Sequence, residues 1–192
     1  MFAAAETFIA EMRRLFADGV PEPDRWERCR ELLKVLIADP ELKEAAREWP
    51  VTGFNPKTDR VQNLLFYEDP DYGFVINGLI KNPGGMAMVH DHGPAWTIYG
   101  VLAGSERIVH FDAELAGDDK VAIGESHAEI CRPGDVDVVQ PWLIHSEYAG
   151  DEKSIAVIVR SQRSGTFEQY RYLDDGSRVP FGGPEQVPYA LG

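Results

Sequence analysis

Between residues 6 and 48, apolar side chains recur mostly every three or four positions with charges between them: Phe8, Ile9, Met12, Leu15 and Phe16, then Trp26, Leu32, Leu33 and Leu36. That spacing is the mark of helices with one buried stripe. Breaks fall at Gly19-Val-Pro-Glu-Pro23 and at Asp39-Pro40, where Asp39 is placed to cap a third helix opened by Pro40. Three helices are therefore expected. After Trp49-Pro50 the period drops to two, in short runs separated by turn residues. The predicted strands are Asn63–Tyr67, Gly73–Ile80, Met86–His90, Ala95–Leu102, Glu106–Phe111, His127–Cys131, Val136–Val139, His145–Ala149 and Ser154–Arg160. Turn signals at Asp71-Tyr-Gly73, Pro83-Gly-Gly85, Ala103-Gly104 and Pro133-Gly134 separate most of them.

Nine strands behind a helical leader predict a mostly β chain built as one barrel. Residues 1–50 are read as helices packing on it, 51–175 as the barrel, and the Gly- and Pro-rich 176–192 as an extended surface tail. A length of 192 residues suits a single domain with an added segment, and 44% hydrophobic residues suffice for a real core. With 19 Lys and Arg against 32 Asp and Glu, the net charge of −13 argues against nucleic-acid or membrane-surface partners. Apolar runs such as Ser154–Val159 fall far short of the roughly 20 residues of a membrane span. Glu6 and Glu11 interrupt the N-terminal apolar character, and no basic run precedes it, so a cytoplasmic location is expected. Cys29 and Cys131 are too few for a disulfide framework and are read as free, buried or half-buried thiols.

The chemistry concentrates in Met88-Val-His90-Asp-His92-Gly. In a strand, residues i and i+2 face one side about 6.6 Å apart. Two imidazoles can then converge on one metal while Asp91 points to the opposite face. Fifty-three residues later His145 enters a predicted strand after Arg132-Pro-Gly-Asp135 and Gln140-Pro-Trp-Leu-Ile. The order Gly, His-x-His, Gly104, Pro-Gly-Asp, His resembles the two sequence motifs of the cupin family, over roughly residues 60 to 160. The resemblance implies a double-stranded β-helix, a small jelly-roll barrel whose facing strands enclose a site. Cupins usually carry a glutamate four or five residues after the second histidine. Trp96 and Thr97 stand there in this chain, so the set is read as three histidines, His90, His92 and His145. Glu106 is read as a solvated strand residue, and His110 and His127 as packing or surface residues.

Three neutral imidazoles leave a bound metal cationic with open positions. Fe(II) fits as a three-histidine variant of the facial arrangement of non-haem oxygenases, with Zn, Ni and Mn as alternatives. Asp91, Ser146 or a backbone carbonyl would orient the ligands. Within cupins, Gln62-Asn-Leu-Leu65, Gly-Met-Ala-Met-Val-His90-Asp-His92-Gly and Gly-Val-Leu-Ala-Gly104 resemble the cysteine dioxygenase and thiol dioxygenase group. That likeness implies Fe(II) on the three histidines, O₂ and a small thiol as substrates, and a sulfinate product. The position of Gln62 holds arginine in enzymes acting on cysteine and glutamine in the mercaptopropionate type, so Gln62 implies a substrate without the amino-acid headgroup. The Ser-x-His-x-Tyr relay of the group is missing from Ser154–Arg160. The crosslinking cysteine of mammalian-type enzymes is missing too, with Thr97 near its place.

A carboxylate-bearing thiol requires a cation, for which Arg160 and Arg171 are the candidates; the second lies roughly where mercaptopropionate enzymes place their carboxylate-binding arginine. Tyr99, on the same alternating face as Thr97, is the candidate to donate to substrate or oxygen. Trp96 and Trp142 are read as core or pocket wall. The leading expectation is a thiol dioxygenase acting on a small molecule, with homodimerisation through edge strands or the leader left open. Two further classes compete: another metal-dependent cupin enzyme (lyase, hydrolase or isomerase) and a non-catalytic ligand-binding cupin.

Overall fold

The computed structural model describes residues 2–58, 60–115 and 120–191; Met1 and Gly192, outer bounds of the expected leader and tail, lie outside them. Helices α1 (Ala3–Ala17), α2 (Asp24–Ala38) and α3 (Pro40–Ala46) occupy the stretch with helical periodicity. Their ends fall at the predicted breaks. Asp39 caps α3 by accepting from the Leu42 backbone N–H at 2.9 Å, with Pro40 in the first turn. The apolar stripes of α1 and α2, among them Phe8, Met12, Leu15, Trp26, Cys29 and Leu33, are buried in one large cluster with the outer face of a sheet. Both cysteines are free and buried.

Twelve strands follow among the described residues: β1 (Phe54–Asn55), β2 (Arg60–Glu68), β3 (Val75–Lys81), β4 (Thr97–Ala103), β5 (Glu106–Leu115), β6 (Val121–Cys131), β7 (Val136–Val139), β8 (Ile144–Ala149), β9 (Ser154–Arg160), β10 (Tyr170–Tyr172), β11 (Arg178–Pro180) and β12 (Glu185–Pro188). The large sheet runs β1-β2-β3-β9-β4-β7, with β12 added parallel to β2; the facing sheet runs β6-β5-β8, and β10 pairs with β11. From β3 onward the chain alternates between the sheets. It leaves β3 for the bridging segment beside β8, returns for β4, crosses for the β5–β6 hairpin, and repeats the alternation through β7, β8 and β9. This winding of antiparallel strands is the double-stranded β-helix of the cupin barrel.

Strand β9 shows how the sequence divides the two sides. Ile155, Val157 and Val159 join the helix-covered cluster, while Ala156 and Ile158 belong to a smaller cluster inside the barrel with Tyr99, Val101 and Ile108. Both faces are buried, so the run reads as continuously apolar. On β4, Gly100 lets α2 rest directly on the sheet, because a Cβ there would sit 3.1 Å from Leu33 Cδ2.

Three expectations are corrected. Met86–His90 is not a regular strand: it makes only isolated bridges, Met86 to Tyr148 and His90 to His145 and Arg171. Its hydrogen bonds are divided between two neighbours, Ala87 donating to Glu147 on β8 while Val89 accepts from Tyr172 on β10. The β5–β6 hairpin is also longer than expected, pairing out to Leu115 and from Val121. Much of this extension is solvent-exposed, so hydrophobic alternation does not report it. Glu106, expected to be solvated, is fully buried inside the barrel.

Candidate metal centre

His90 and His145 exchange backbone hydrogen bonds, N to O at 2.9 Å in each direction, which fixes the bridging segment against β8. Their rings are then oriented by nearby carbonyls. The Nδ1 of His90 lies 2.7 Å from the Met88 carbonyl, and that of His145 lies 3.3 Å from Leu143. Nδ1–H donation there leaves Nε2 of each ring with a free lone pair, the state a metal ligand needs. The Nε2 atoms of His90 and His92 stand 3.1 Å apart, and one ring nitrogen from each of the three histidines lies within 4.8 Å of the others. Ligands at bonds of about 2.1 Å and roughly right angles are about 3 Å apart, so the spacing fits a shared divalent ion. His145 Nε2 is buried, and the protein group facing it is the Glu147 carboxylate, 3.2 Å away. Burial, followed by the His145 charge, pushes His90 down to about 4 and His92 well below its ordinary value. Both are therefore neutral donors at pH 7.

Asp91 faces away from the other two side chains, as period two requires. It is fully buried, accepting from the backbone N–H of Gly93 at 2.8 Å and of Tyr170 at 3.2 Å, and from the Tyr172 hydroxyl at 2.8 Å. Burial and then the hydrogen bond to Asp91 push the Tyr172 hydroxyl well up, so it remains a donor. Asp91 thus ties the histidine segment to β10. Gly93 has φ +52° and would place a Cβ against the Glu168 carbonyl, so only glycine suits this turn. Ser146 Oγ is buried with no partner. Of the three orienting groups expected from sequence, the carbonyls contact the rings and Asp91 holds the segment.

A cavity of about 150 Å³ opens beside His90, with a polar lining that includes Asn63, Lys81, Glu147, Arg160 and Arg171 and an apolar lining that includes Leu79, Met86, Met88 and Phe181. Arg160 and Arg171 therefore meet at one cavity. Gln62 is not among its lining residues: its side-chain amide donates to Glu185 on β12 at 3.1 Å. Tyr99 also lies behind the lining, its hydroxyl donating to Glu106 at 2.7 Å and accepting from Lys81 at 3.1 Å. Burial raises the Tyr99 pKa strongly. Trp142 is 53% exposed, at φ 65°, and forms no cavity wall, whereas Trp96 is buried and stacks on Trp26.

Three residues that the motifs did not single out complete the site. Lys81 Nζ lies 2.5 Å from Glu106 Oε2 and 4.0 Å from Glu147 Oε2, and Glu147 Oε1 lies 3.2 Å from His145 Nε2. Burial alone would raise the Glu147 pKa, but the Lys81 ammonium and the His145 ring outweigh it and hold the carboxyl well below its usual range. Glu147 stands two residues beyond His145 on β8, so period two places it on the ligand face. Asn77 accepts from Arg160 at 3.4 Å. His110 instead pairs with Asp137 at 3.1 Å, its ring 5.9 Å from that of His127, and neither belongs to the three-histidine group.

No family model and no curated protein matches the chain. Solved structures with cupin or double-stranded β-helix domains do. An oxalate oxidase in complex with the substrate analogue glycolate is 21% identical, with 65% of this chain and 61% of that chain covered, at a TM-score of 0.45. KdgF from Halomonas sp. is 17% identical over 52% of this chain and 76% of that one, at 0.41. An uncharacterized conserved protein with a double-stranded beta-helix domain from Klebsiella pneumoniae is 18% identical over 52% and 71%, at 0.39. The chain spans only 42–51% of the length of the first structures it matches. The chain's own strand order forms the β-helix, and its three histidines lie close enough together to hold a metal ion. No helix among the described residues is long and apolar enough to cross a membrane.

Proposed function

We propose that the chain is a mononuclear Fe(II) dioxygenase that oxidises a small thiol to a sulfinate. The observation that carries this reading is the ligand group itself: three imidazole nitrogens within 4.8 Å of one another, with burial holding His90 and His92 neutral. Iron, when bound, would supply the redox chemistry that adds both atoms of O₂ to sulfur, leaving its positive charge uncancelled by the ligands and available to a thiolate. The cavity is small. A 150 Å³ space matches a ligand of about six heavy atoms, the size of benzene in an engineered cavity of that volume. Leu79, Met86 and Met88 would exclude water from the ligand's carbon chain, and positioning by these walls would supply much of the rate.

The test is oxygen uptake by iron-loaded protein with cysteine, 3-mercaptopropionate, cysteamine and mercaptosuccinate, with the sulfinate identified by mass. Metal-dependent uptake with at least one thiol is expected, and its absence with all four rejects the reading. The buried Lys81–Glu147 pair beside His145 favours a second reading. A carboxylate held anionic next to the metal position suits proton transfer from a water or a carbon acid, as in a lyase, hydrolase or isomerase. Stoichiometric zinc and turnover without oxygen distinguish it.

A further inference from the structure

The mouth of the cavity is apolar on its outer side as well as within. Val61 on β2 and Met86 and Met88 on the bridging segment all line the cavity, yet they are 45%, 62% and 47% exposed. Phe54, 59% exposed, is the register partner of Val61 on β1, so it stands on the same face one strand further out. A single apolar side chain at a surface needs no explanation. Four gathered at one opening, on a chain of net charge −13, form a patch of the kind that marks a binding groove. The inner space of about 150 Å³ holds only about six heavy atoms, and the walls that Val61, Met86 and Met88 lend to it continue outward past that limit. The backbone around the opening is already paired: Ala87 donates to Glu147, Val89 accepts from Tyr172, and Val61 lies in register with β1, which is itself two residues long. An added peptide strand would find almost no main-chain partners here. What the rim offers is side chains, and two of them are methionines, whose unbranched thioether chains adapt to the shape of a ligand. Such a surface fits a flexible hydrocarbon chain.

We propose that the ligand of this cavity carries an apolar tail longer than the cavity holds, and that the tail leaves through the mouth to lie on Val61, Met86, Met88 and Phe54. The inference rests on the cavity of the reading above and narrows its substrate class to molecules with one polar end and one hydrocarbon end. The four rim residues then select for chain length, whatever group occupies the inner end. Each methylene that the rim covers should raise affinity about two- to fourfold, the upper value being that of complete burial.

Of the chain's four methionines, Met86 and Met88 stand on the rim, and Met12 is fully buried in the helix-covered cluster. Carbon-13 labelling of the methionine methyl groups in the full chain as purified therefore reports on the rim by nuclear magnetic resonance, with Met12 as the internal control. Titration with the straight-chain primary alcohols butanol, hexanol and octanol should shift the Met86 and Met88 signals saturably and leave that of Met12 in place. Affinity should rise about two- to fourfold per methylene across the series. Hexanediol with a hydroxyl at each end should bind more weakly than hexanol. Phe54→Ser and Val61→Thr, both at exposed positions, should each lower octanol affinity about threefold or more. Phe54→Ser should leave butanol affinity unchanged, because Phe54 is not among the cavity walls. If one variant does not fold, the other carries the test. Unmoved Met86 and Met88 signals, shifts shared equally by Met12, affinity independent of chain length, or undiminished octanol affinity in the folded variants each overturn the proposal. So does a dimer in sedimentation that Phe54→Ser breaks, since the rim would then belong to a second copy of the chain. None of these readouts uses oxygen or a thiol. Failure of the oxidation assay therefore leaves the tail site standing, and failure here leaves the oxidation reading with a ligand confined to the inner cavity.

Discussion

Lys81 and Glu106 form a buried ion pair, 2.5 Å between Nζ and Oε2, with the Tyr99 hydroxyl on the same carboxylate oxygen. Replacing Lys81 alone by Met would strand two buried carboxylates, Glu106 and Glu147. Removal of one partner of a buried pair typically costs about 3–5 kcal/mol. The double variant Lys81→Met, Glu106→Gln should recover a large part of that loss. Urea denaturation of the four proteins in the cycle measures the coupling, and additive losses would show that the pair contributes nothing as a unit.

Removing a ligand should empty the centre without unfolding the barrel. His92→Ala and His145→Ala are expected to lower bound metal to background after dialysis, as read by elemental analysis. Far-ultraviolet circular dichroism should remain that of the parent, because the helix-covered cluster holds no histidine. Retention of stoichiometric metal in either variant would exclude that histidine from the ligand set.

Asp91 acts on the centre through the backbone. Asp91→Ala leaves the N–H groups of Gly93 and Tyr170 and the Tyr172 hydroxyl without their acceptor. A supporting contact of this kind is worth about 10–100-fold in metal affinity. Gly93→Ala should produce a comparable weakening and lower stability by about 2 kcal/mol, since a left-handed alanine is strained and its Cβ meets the Glu168 carbonyl. Competition titration with a chromogenic chelator measures the first effect and urea midpoints the second.

The His110–Asp137 contact predicts a pH dependence of stability. The hydrogen bond to Asp137 raises the His110 pKa above the ordinary histidine value of about 6.5 in the folded chain. Folding therefore favours the protonated ring. Its contribution is fully present below the unfolded pKa and is lost as pH rises through the higher folded one. The increment should stay below about 1 kcal/mol, because the pair borders solvent. The urea midpoint of wild type relative to His110→Gln should decline as pH rises above the ordinary histidine value of about 6.5 and through the higher folded one. A difference independent of pH would mean that the ring is not held protonated.

The three histidines were legible because the i, i+2 rule operates locally, and their convergence survives even though Met86–His90 never becomes a regular strand. Helix boundaries were legible from Asp39, Pro40 and the Gly19–Pro23 break, whose effects are also local. Glu147 obeys the same period as the histidines. Its meaning depends on Lys81, however, which ends an apolar run on β3 and meets Glu147 only through the closure of the barrel. Glu106 was misread for the same reason: a glutamate opening a strand normally faces water, and only the facing sheet supplies the lysine and tyrosine that bury it. Gln62 carries a residue type that fits the substrate end of the site. Its register with Glu185 on β12, which no local pattern announces, turns the amide elsewhere.

Because Arg171 and Phe181 belong to the run between β9 and β12, part of the binding chamber is made by a C-terminal stretch of the polypeptide, laid down after β2 to β9 are complete. A nascent or clipped chain ending near Arg160 would own all three imidazoles and still lack a wall. Proteolytic trimming at that end should accordingly change what the chamber admits and, through the lost Tyr170 and Tyr172 contacts to Asp91, how tightly it holds metal.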